Sequence, residues 1–252
     1  MPNMRALVTG AAAGLARGVA SALAGGGQFE RIVITYRNTA PNATLAAIES
    51  AGVQGTAVHL DFLDDQATIA AQLAQVAIEH GPFDVLVHGV GPMTIARFER
   101  STLDQYQEMF DGNVRSAVLA AHALLPAMRE RGFGRLVFFG MNGSSVTRPA
   151  KGFALHLAAK SALVAFARTL ALEEGARGIT VNVVEPGDIR DKYLTREQAR
   201  DRTAANPRGR PGTWEDVADA VSFLVDPRHD FVSGSVLGVT GGLLGSAEPR
   251  DG

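Results

Sequence analysis

The stretch Ala6-Leu7-Val8-Thr9-Gly10-Ala11-Ala12-Ala13-Gly14-Leu15-Ala16 decides the fold. A short apolar run enters a glycine-bearing turn, and the helix-patterned residues Leu15–Leu23 follow at once. Glycine in such a turn lets the backbone approach a pyrophosphate, and the N-terminus of the next helix attracts the anion. Working outward, the same alternation continues to the end of the chain. Apolar runs recur at Ile32-Val33-Ile34, Val58-His59-Leu60, Val85-Leu86-Val87, Leu136-Val137-Phe138-Phe139, Val181-Asn182-Val183-Val184 and Val236-Leu237-Gly238-Val239. Runs without polar alternation are what a parallel sheet covered on both faces requires. The stretches Leu63–Glu79, Tyr106–Arg131 and Leu155–Glu174 are long enough for crossover helices. The pattern predicts an α/β fold, a doubly wound parallel sheet (Rossmann fold) forming a single domain over residues 1–252. The polar, arginine-rich segment 188–212 lacks a strand and reads as a substrate lid within that domain.

Composition narrows the function classes. At 252 residues with 46% hydrophobic and 20% charged, the chain reads as soluble and globular. A formal net charge of -2 argues against a nucleic-acid binder that works through a basic surface. With no cysteine, thiolate metal sites and cysteine nucleophiles are excluded. The histidines His59, His80, His88 and His229 have no spacing that suggests a metal site, and none is expected. No membrane span is expected, since nothing near eighteen uninterrupted apolar residues occurs. The start MPNMRALVTG runs directly into a strand, so no signal peptide is expected and a cytoplasmic location is. Arginine outnumbers lysine 21 to 3, which makes the retained Lys151, Lys160 and Lys192 more informative than usual.

The second strand ends in Thr35-Tyr36-Arg37-Asn38. A carboxylate there would hold the ribose 2′-hydroxyl of NAD, whereas the guanidinium of Arg37 suits the 2′-phosphate of NADP. Taken together, these motifs resemble the short-chain dehydrogenase/reductase family from about Arg5 to Gly245, with a C-terminal pattern like bacterial 3-oxoacyl-carrier-protein reductases. That pattern is Gly209-Arg210-Pro211-Gly212, Glu215-Asp216-Val217-Ala218, Phe223-Leu224 and Val239-Thr240-Gly241-Gly242. The resemblance places Gly10, Ala13, Gly14 and Leu15 in the TGxxxGxG turn, with Ala16 replacing its last glycine. It gives Asp61, with Phe62 beside it, to adenine. It sets His88-Gly89-Val90-Gly91 where the family has Asn-Asn-Ala-Gly, and Gly89 is carried over to the cofactor. It makes Asn113 the structural and catalytic asparagine, and it brings Pro186, Gly187 and Ile189 onto the nicotinamide.

The family's chemistry needs a tyrosine and a lysine four residues apart on one helix face, the lysine holding the ribose and the phenol passing a proton. Here His156-Leu157-Ala158-Ala159-Lys160 fills that frame: Lys160 is retained, and His156 stands where tyrosine is expected. The serine expected after the fifth strand is replaced by Gly140-Met141, with Asn142, Ser144 and Ser145 near enough to substitute if the loop shifts. Asp191 stands where a threonine is expected after Pro-Gly-x-Ile. Imidazole is the commonest general acid, yet a neighbouring ammonium would lower its pKa. His156 is therefore read either as a proton donor or as a packed helix histidine, as His122 is read.

Two functions follow. The first is an NADP-dependent oxidoreductase moving hydride to or from a small-molecule carbonyl substrate, free or linked to a carrier protein, through a proton relay built on His156, Lys160 and Asn113. The second is an NADP-binding sensor or interaction module with little turnover. The cations of the lid (Arg190, Lys192, Arg196, Arg200, Arg202, Arg208, Arg210) suit an anionic substrate or a solvated face. Arg129, Arg131 and Arg135 suit docking of an acidic carrier or a helix C-terminus. Apolar residues around Tyr106–Arg131 and Leu155–Glu174 predict a homotetramer.

Overall fold

Seven parallel strands form one sheet in the order β3-β2-β1-β4-β5-β6-β7. The structure is a computed structural model that describes residues 4–189 and 191–243, so Arg190 and Gly245 lie outside the described residues. The strands are β1 (Met4–Thr9), β2 (Phe29–Tyr36), β3 (Gln54–His59), β4 (Val85–His88), β5 (Gly134–Phe139), β6 (Ile179–Pro186) and β7 (Val236–Val239). Each apolar run of the sequence falls on one of them. The third overshoots: β3 stops at His59, and Leu60 is buried just beyond it.

Both faces of the sheet are covered, as the unalternating strands require. On one face Ala6, Val8, Ile32 and Ile34 pack with α1 (Gly14–Gly25), α2 (Asn42–Ser50) and α7 (Trp214–Val225). On the other, Leu7, Val33, Leu86 and Leu136 pack with α3 (Gln66–His80), α5 (Ser116–Arg131) and α6 (Ala154–Glu174). By length and composition alone the stretch 154–177 could cross a membrane, a test that the core helix of a globular domain also passes. In the fold it is largely the core helix α6, with Leu163, Ala167 and Leu170 buried against the sheet.

Two helical features depart from the sequence reading. Helix α2 carries only two fully buried residues, Thr44 and Ile48, too little apolar rhythm to stand out. The stretch Tyr106–Arg131 is not one regular helix: α4 (Leu103–Phe110) passes through a π-turn at Asp111–Arg115 into α5. Asn113 explains the widening. Its side-chain amide donates to the Met109 carbonyl at 2.9 Å, the acceptor that its own backbone N–H would use in a regular α-helix.

The strand order reverses between β1 and β4, where Thr9 pairs in register with His88. In open α/β sheets the crevice beyond the strand ends at such a switch point is where ligands bind. The glycine turn leaves β1 here, and Gly89 and Gly91 leave β4.

Candidate active site

The glycine turn is built for close approach. Gly10 and Gly14 have φ of +66° and +64°, a left-handed backbone that disfavours other residues. Gly10 donates its N–H to the Thr35 hydroxyl, and Ala11 to the Thr35 carbonyl, so β2 fixes the turn. Ala13 is the N-cap of α1 but offers no capping side chain, which leaves the helix N-terminus available to an anion. The Ala16 substitution has a counterpart opposite: a β-carbon on Gly89 would lie 2.4 Å from Ala16 Cβ. The small-residue contact between α1 and β4 is kept with glycine moved to the other side.

At the end of β2, Tyr36 packs edge-on to His59, while Arg37 and Asn38 are exposed. The Arg37 guanidinium lies 3.7 Å from an Asp61 carboxylate oxygen, which also accepts from the Leu63 N–H. Arg37 and Asp61 therefore lie side by side at the carboxyl ends of β2 and β3. Phe62 does not: its ring is buried in the core, edge-on to His88.

His88 replaces the family's asparagine with a bridge through the sheet. It bonds Thr9 Oγ1 through Nδ1 and Ser116 Oγ through Nε2, each at 2.9 Å. Ser116 donates to the Gly112 carbonyl, so the Nε2–H tautomer completes the chain into the π-turn. Burial, helped by the charge of Lys160, pushes the His88 pKa down to about 3, so the ring is neutral.

The catalytic candidates converge beside Gly91. A β-carbon there would lie 2.9 Å from both Asn113 Oδ1 and Lys160 Nζ, so the residue has to be glycine for the two to meet. Asn113 Oδ1 is buried without a hydrogen-bond partner. Lys160 donates to the Phe139 carbonyl at 2.7 Å, and its ammonium has two further protons to give. Burial lowers its pKa to about 8. One helical turn earlier, His156 is 5% exposed, and its Nδ1 is buried with no partner. Burial first, and the Lys160 charge second, lower its pKa to about 4, so the imidazole is neutral at neutral pH. His122, by contrast, is exposed and not the packed helix histidine expected.

The loop after β5 does not return the missing serine. Ser144 is buried; its hydroxyl donates to Glu185 at 2.7 Å and accepts from the Met141 N–H. Asn142 Nδ2 donates to the Leu243 carbonyl. Glu185, which the sequence reading passed over, organises this loop by accepting also from the N–H groups of Gly143 and Ser145. Its signal was present as a lone carboxylate ending the apolar run of β6, immediately before Pro186-Gly187. Gly187 is pinned by its N–H to the Val239 carbonyl, and Ile189 is buried beyond it.

The second basic cluster is spent on the fold. Arg129 forms a forked pair with buried Glu174, and Arg131 bonds the Phe83 carbonyl and Asp84. Arg135 is buried and bonds three backbone carbonyls. Of these three, Arg135 offers nothing to an acidic partner. In segment 188–212, Arg196 and Arg210 are paired with Asp216, whereas Arg200 and Arg208 have no acidic partner among the described residues. These arginines and Arg202 line an open depression of about 530 Å³.

Residues 10–244 match the family model described as enoyl-(acyl carrier protein) reductase. With this fold and this site, the chain belongs to the short-chain dehydrogenase/reductase family. Among curated relatives, the 3-oxoacyl-[acyl-carrier-protein] reductase FabG of Escherichia coli is 32% identical over 241 residues, covering 94% of this chain and 96% of its own. Among solved structures, a blue fluorescent protein from a metagenomic library in complex with NADPH superposes with a TM-score of 0.82 at 31% identity, covering 95% of this chain and 97% of its own. Acetoin dehydrogenase YohF from Salmonella typhimurium superposes with a TM-score of 0.87 at 26% identity, covering 99% of each chain.

Proposed function

We propose that this protein is an NADPH-dependent reductase of a carbonyl compound borne on an anionic carrier, working through a proton relay without the family's tyrosine and serine. The observation that carries the reading is the convergence at Gly91, where Lys160 Nζ and the unpartnered Asn113 Oδ1 flank the switch-point crevice. Buried polar atoms without partners are uncommon, and those of Asn113 and His156 are accounted for by a guest in this crevice. Gly10, Ala13, Gly14 and Leu15 would receive the pyrophosphate, Arg37 the 2′-phosphate, Asp61 and the Phe62 backbone the adenine side. Gly89, Lys160, Pro186, Gly187 and Ile189 would frame the nicotinamide riboside. The cofactor, when bound, supplies the two-electron reduction.

What the chain supplies is position and a proton. Lys160 is mostly an ammonium at pH 7 and would hold the ribose diol with the protons not given to Phe139. His156, neutral, would position the substrate oxygen, and the proton that this oxygen gains on reduction would come from the Lys160 ammonium, the neighbouring group that is an acid at neutral pH. The NADPH-bound neighbour and the carrier-protein reductases among the relatives support cofactor and substrate class. So does the arginine-lined depression formed within the lid segment itself, which suits a phosphate-bearing carrier arm. Exposed Leu103, Tyr106, Val118 and Leu172 support the homotetramer.

The test is steady-state NADPH oxidation with an acetoacetyl thioester, beside a calorimetric titration of NADPH. Binding with turnover sustains the reading. Binding with no turnover across a broad carbonyl panel favours the second reading, a cofactor-binding module, for which the committed Ser144 hydroxyl is the specific observation.

A further inference from the structure

Asp191 stands where the resemblance expects a threonine, and its carboxylate is engaged within the lid. Its carboxylate accepts from the Tyr193 N–H at 3.0 Å and lies 3.9 Å from Arg202, so it shapes the lid itself. The turn it makes sends the next two residues back onto α1. The Tyr193 ring lies against the Arg17 guanidinium, 5.3 Å from its centroid. Lys192 reaches the glycine turn: its Cδ lies 3.5 Å, and its Nζ 4.0 Å, from where a β-carbon on Gly14 would stand. Apart from the flanking residues and the helix's own backbone, no other atom of the described residues comes within 4 Å of that point. Among the described residues the Lys192 ammonium has no hydrogen-bond or ion-pair partner. The first turn of α1 holds no acidic side chain that could claim it.

We propose that Lys192 is a pyrophosphate clamp: a lid-borne cation that meets the dinucleotide opposite the N-terminus of α1 and couples lid position to cofactor occupancy. The inference rests on the NADPH reading above and adds a residue to it. A diphosphate at the Gly14 turn presents two anionic groups, and the α1 N-terminus satisfies them from one side only. Lys192 supplies the missing charge from the other side, as a point-charge donor with three protons. Asp191 and Tyr193 act as the two anchors that aim it, the first through the lid backbone and the second through Arg17. One side chain that is kept as lysine in an arginine-rich chain thereby gains a specific role.

The test uses the full chain and two probes read by binding, not by turnover. NADPH carries the pyrophosphate; 2′-AMP keeps the adenine and the 2′-phosphate and lacks it. Lys192→Met should weaken NADPH by about tenfold, the loss of one charge-assisted hydrogen bond, and leave 2′-AMP within twofold of wild type. Lys192→Arg should restore most of the NADPH affinity. The wild-type NADPH affinity should also fall more steeply with added salt than that of Lys192→Met. Lys192 is exposed, so the substitution leaves the core untouched. Equal NADPH affinities in wild type and Lys192→Met, or equal weakening of both probes, would overturn the clamp. A wild type that fails to bind NADPH would overturn the cofactor reading, and the clamp with it.

Discussion

The two ends of the crevice have been treated differently. At the β1–α1 end, substitutions compensate locally: Ala16 faces Gly89, and His88 replaces an asparagine by bridging Thr9 to Ser116. At the α6 end, tyrosine and serine are both absent, and the groups that stand in their places are neutral or already bonded. A site can keep its binding frame while its proton chemistry is rebuilt, because the frame rests on backbone geometry and the chemistry on single side chains. Cofactor binding and turnover should therefore separate under mutation.

Lys160 is where the two ends meet, so its loss should be largest. Lys160→Ala removes the buried ammonium from Phe139 and, on the proposed reading, from the ribose; NADPH-dependent turnover should drop by about 10³-fold and NADPH affinity should fall with it. A turnover loss with cofactor affinity intact would confine Lys160 to the catalytic end. The pH profile sharpens the point. The lysine works as its charged form and its pKa is about 8, so the rate should hold below pH 8 and fall as the pH rises through it. No inflection is expected near 6.5 from His156, whose pKa of about 4 keeps it neutral over that range.

His156→Ala asks whether the α6 end still performs chemistry. Turnover should fall by about 10²-fold, the lower edge for a member of a proton relay, while NADPH affinity stays within twofold. A variant equal to wild type from pH 5 to 9 makes the histidine scaffold. His156→Tyr alone should not restore the family's full rate, since Met141 offers no hydroxyl and Ser144 is held by Glu185. Met141→Ser should help more in that background than in wild type, the non-additivity of groups acting as one unit.

Much of this was legible beforehand, and the exceptions share a cause. Strands were readable because burial on both faces writes an unbroken apolar run, and α6 because twenty-one residues of periodic pattern are hard to miss. The meeting of Lys160 and Asn113 was implied by the family resemblance. Helix α2 escaped because a helix with one buried face of two residues has almost no periodic signal. The π-turn escaped because its cause is a side-chain hydrogen bond, which composition does not encode. Glu185 and the pairings of Arg129, Arg131 and Arg135 escaped for the same reason. Whether a charged residue is solvated or spent on a partner is decided by contacts distant in sequence, 45 residues apart for Arg129 and Glu174.

His88 tests the claim that the β1 end was rebuilt to be stable. A folded pKa of about 3 against an ordinary 6.5 means that the unfolded chain takes up a proton the native ring refuses. Stability from this group is complete above pH 6.5 and is lost as the pH falls from there toward 3. His88→Asn should cost about 1–3 kcal/mol at pH 8, since one of two buried bonds goes unmade, and should flatten the acid limb between pH 6.5 and 4. Urea melts at pH 8 and pH 5 read both effects; an unchanged difference between the two would mean that the bridge is not what sets acid sensitivity.

The smallest effect is expected at Arg37, and it probes the binding frame alone. The guanidinium is 46% exposed and 3.7 Å from Asp61, so its attraction for a 2′-phosphate is screened by solvent and shared with a carboxylate. A single charge-assisted contact under those conditions is worth about tenfold in affinity. Wild type should therefore bind NADPH about tenfold more tightly than NADH. Arg37→Asp should abolish that preference mainly by weakening NADPH, because the new carboxylate repels the phosphate and can accept from a 2′-hydroxyl. The rate constant for turnover at saturating cofactor should stay within about twofold, since Arg37 follows β2 whereas Lys160 and His156 lie on α6. Calorimetric titration of both cofactors decides it. Equal wild-type affinities would remove Arg37 from the frame, and a large loss of saturated turnover in Arg37→Asp would show that the two ends of the crevice are not separable after all.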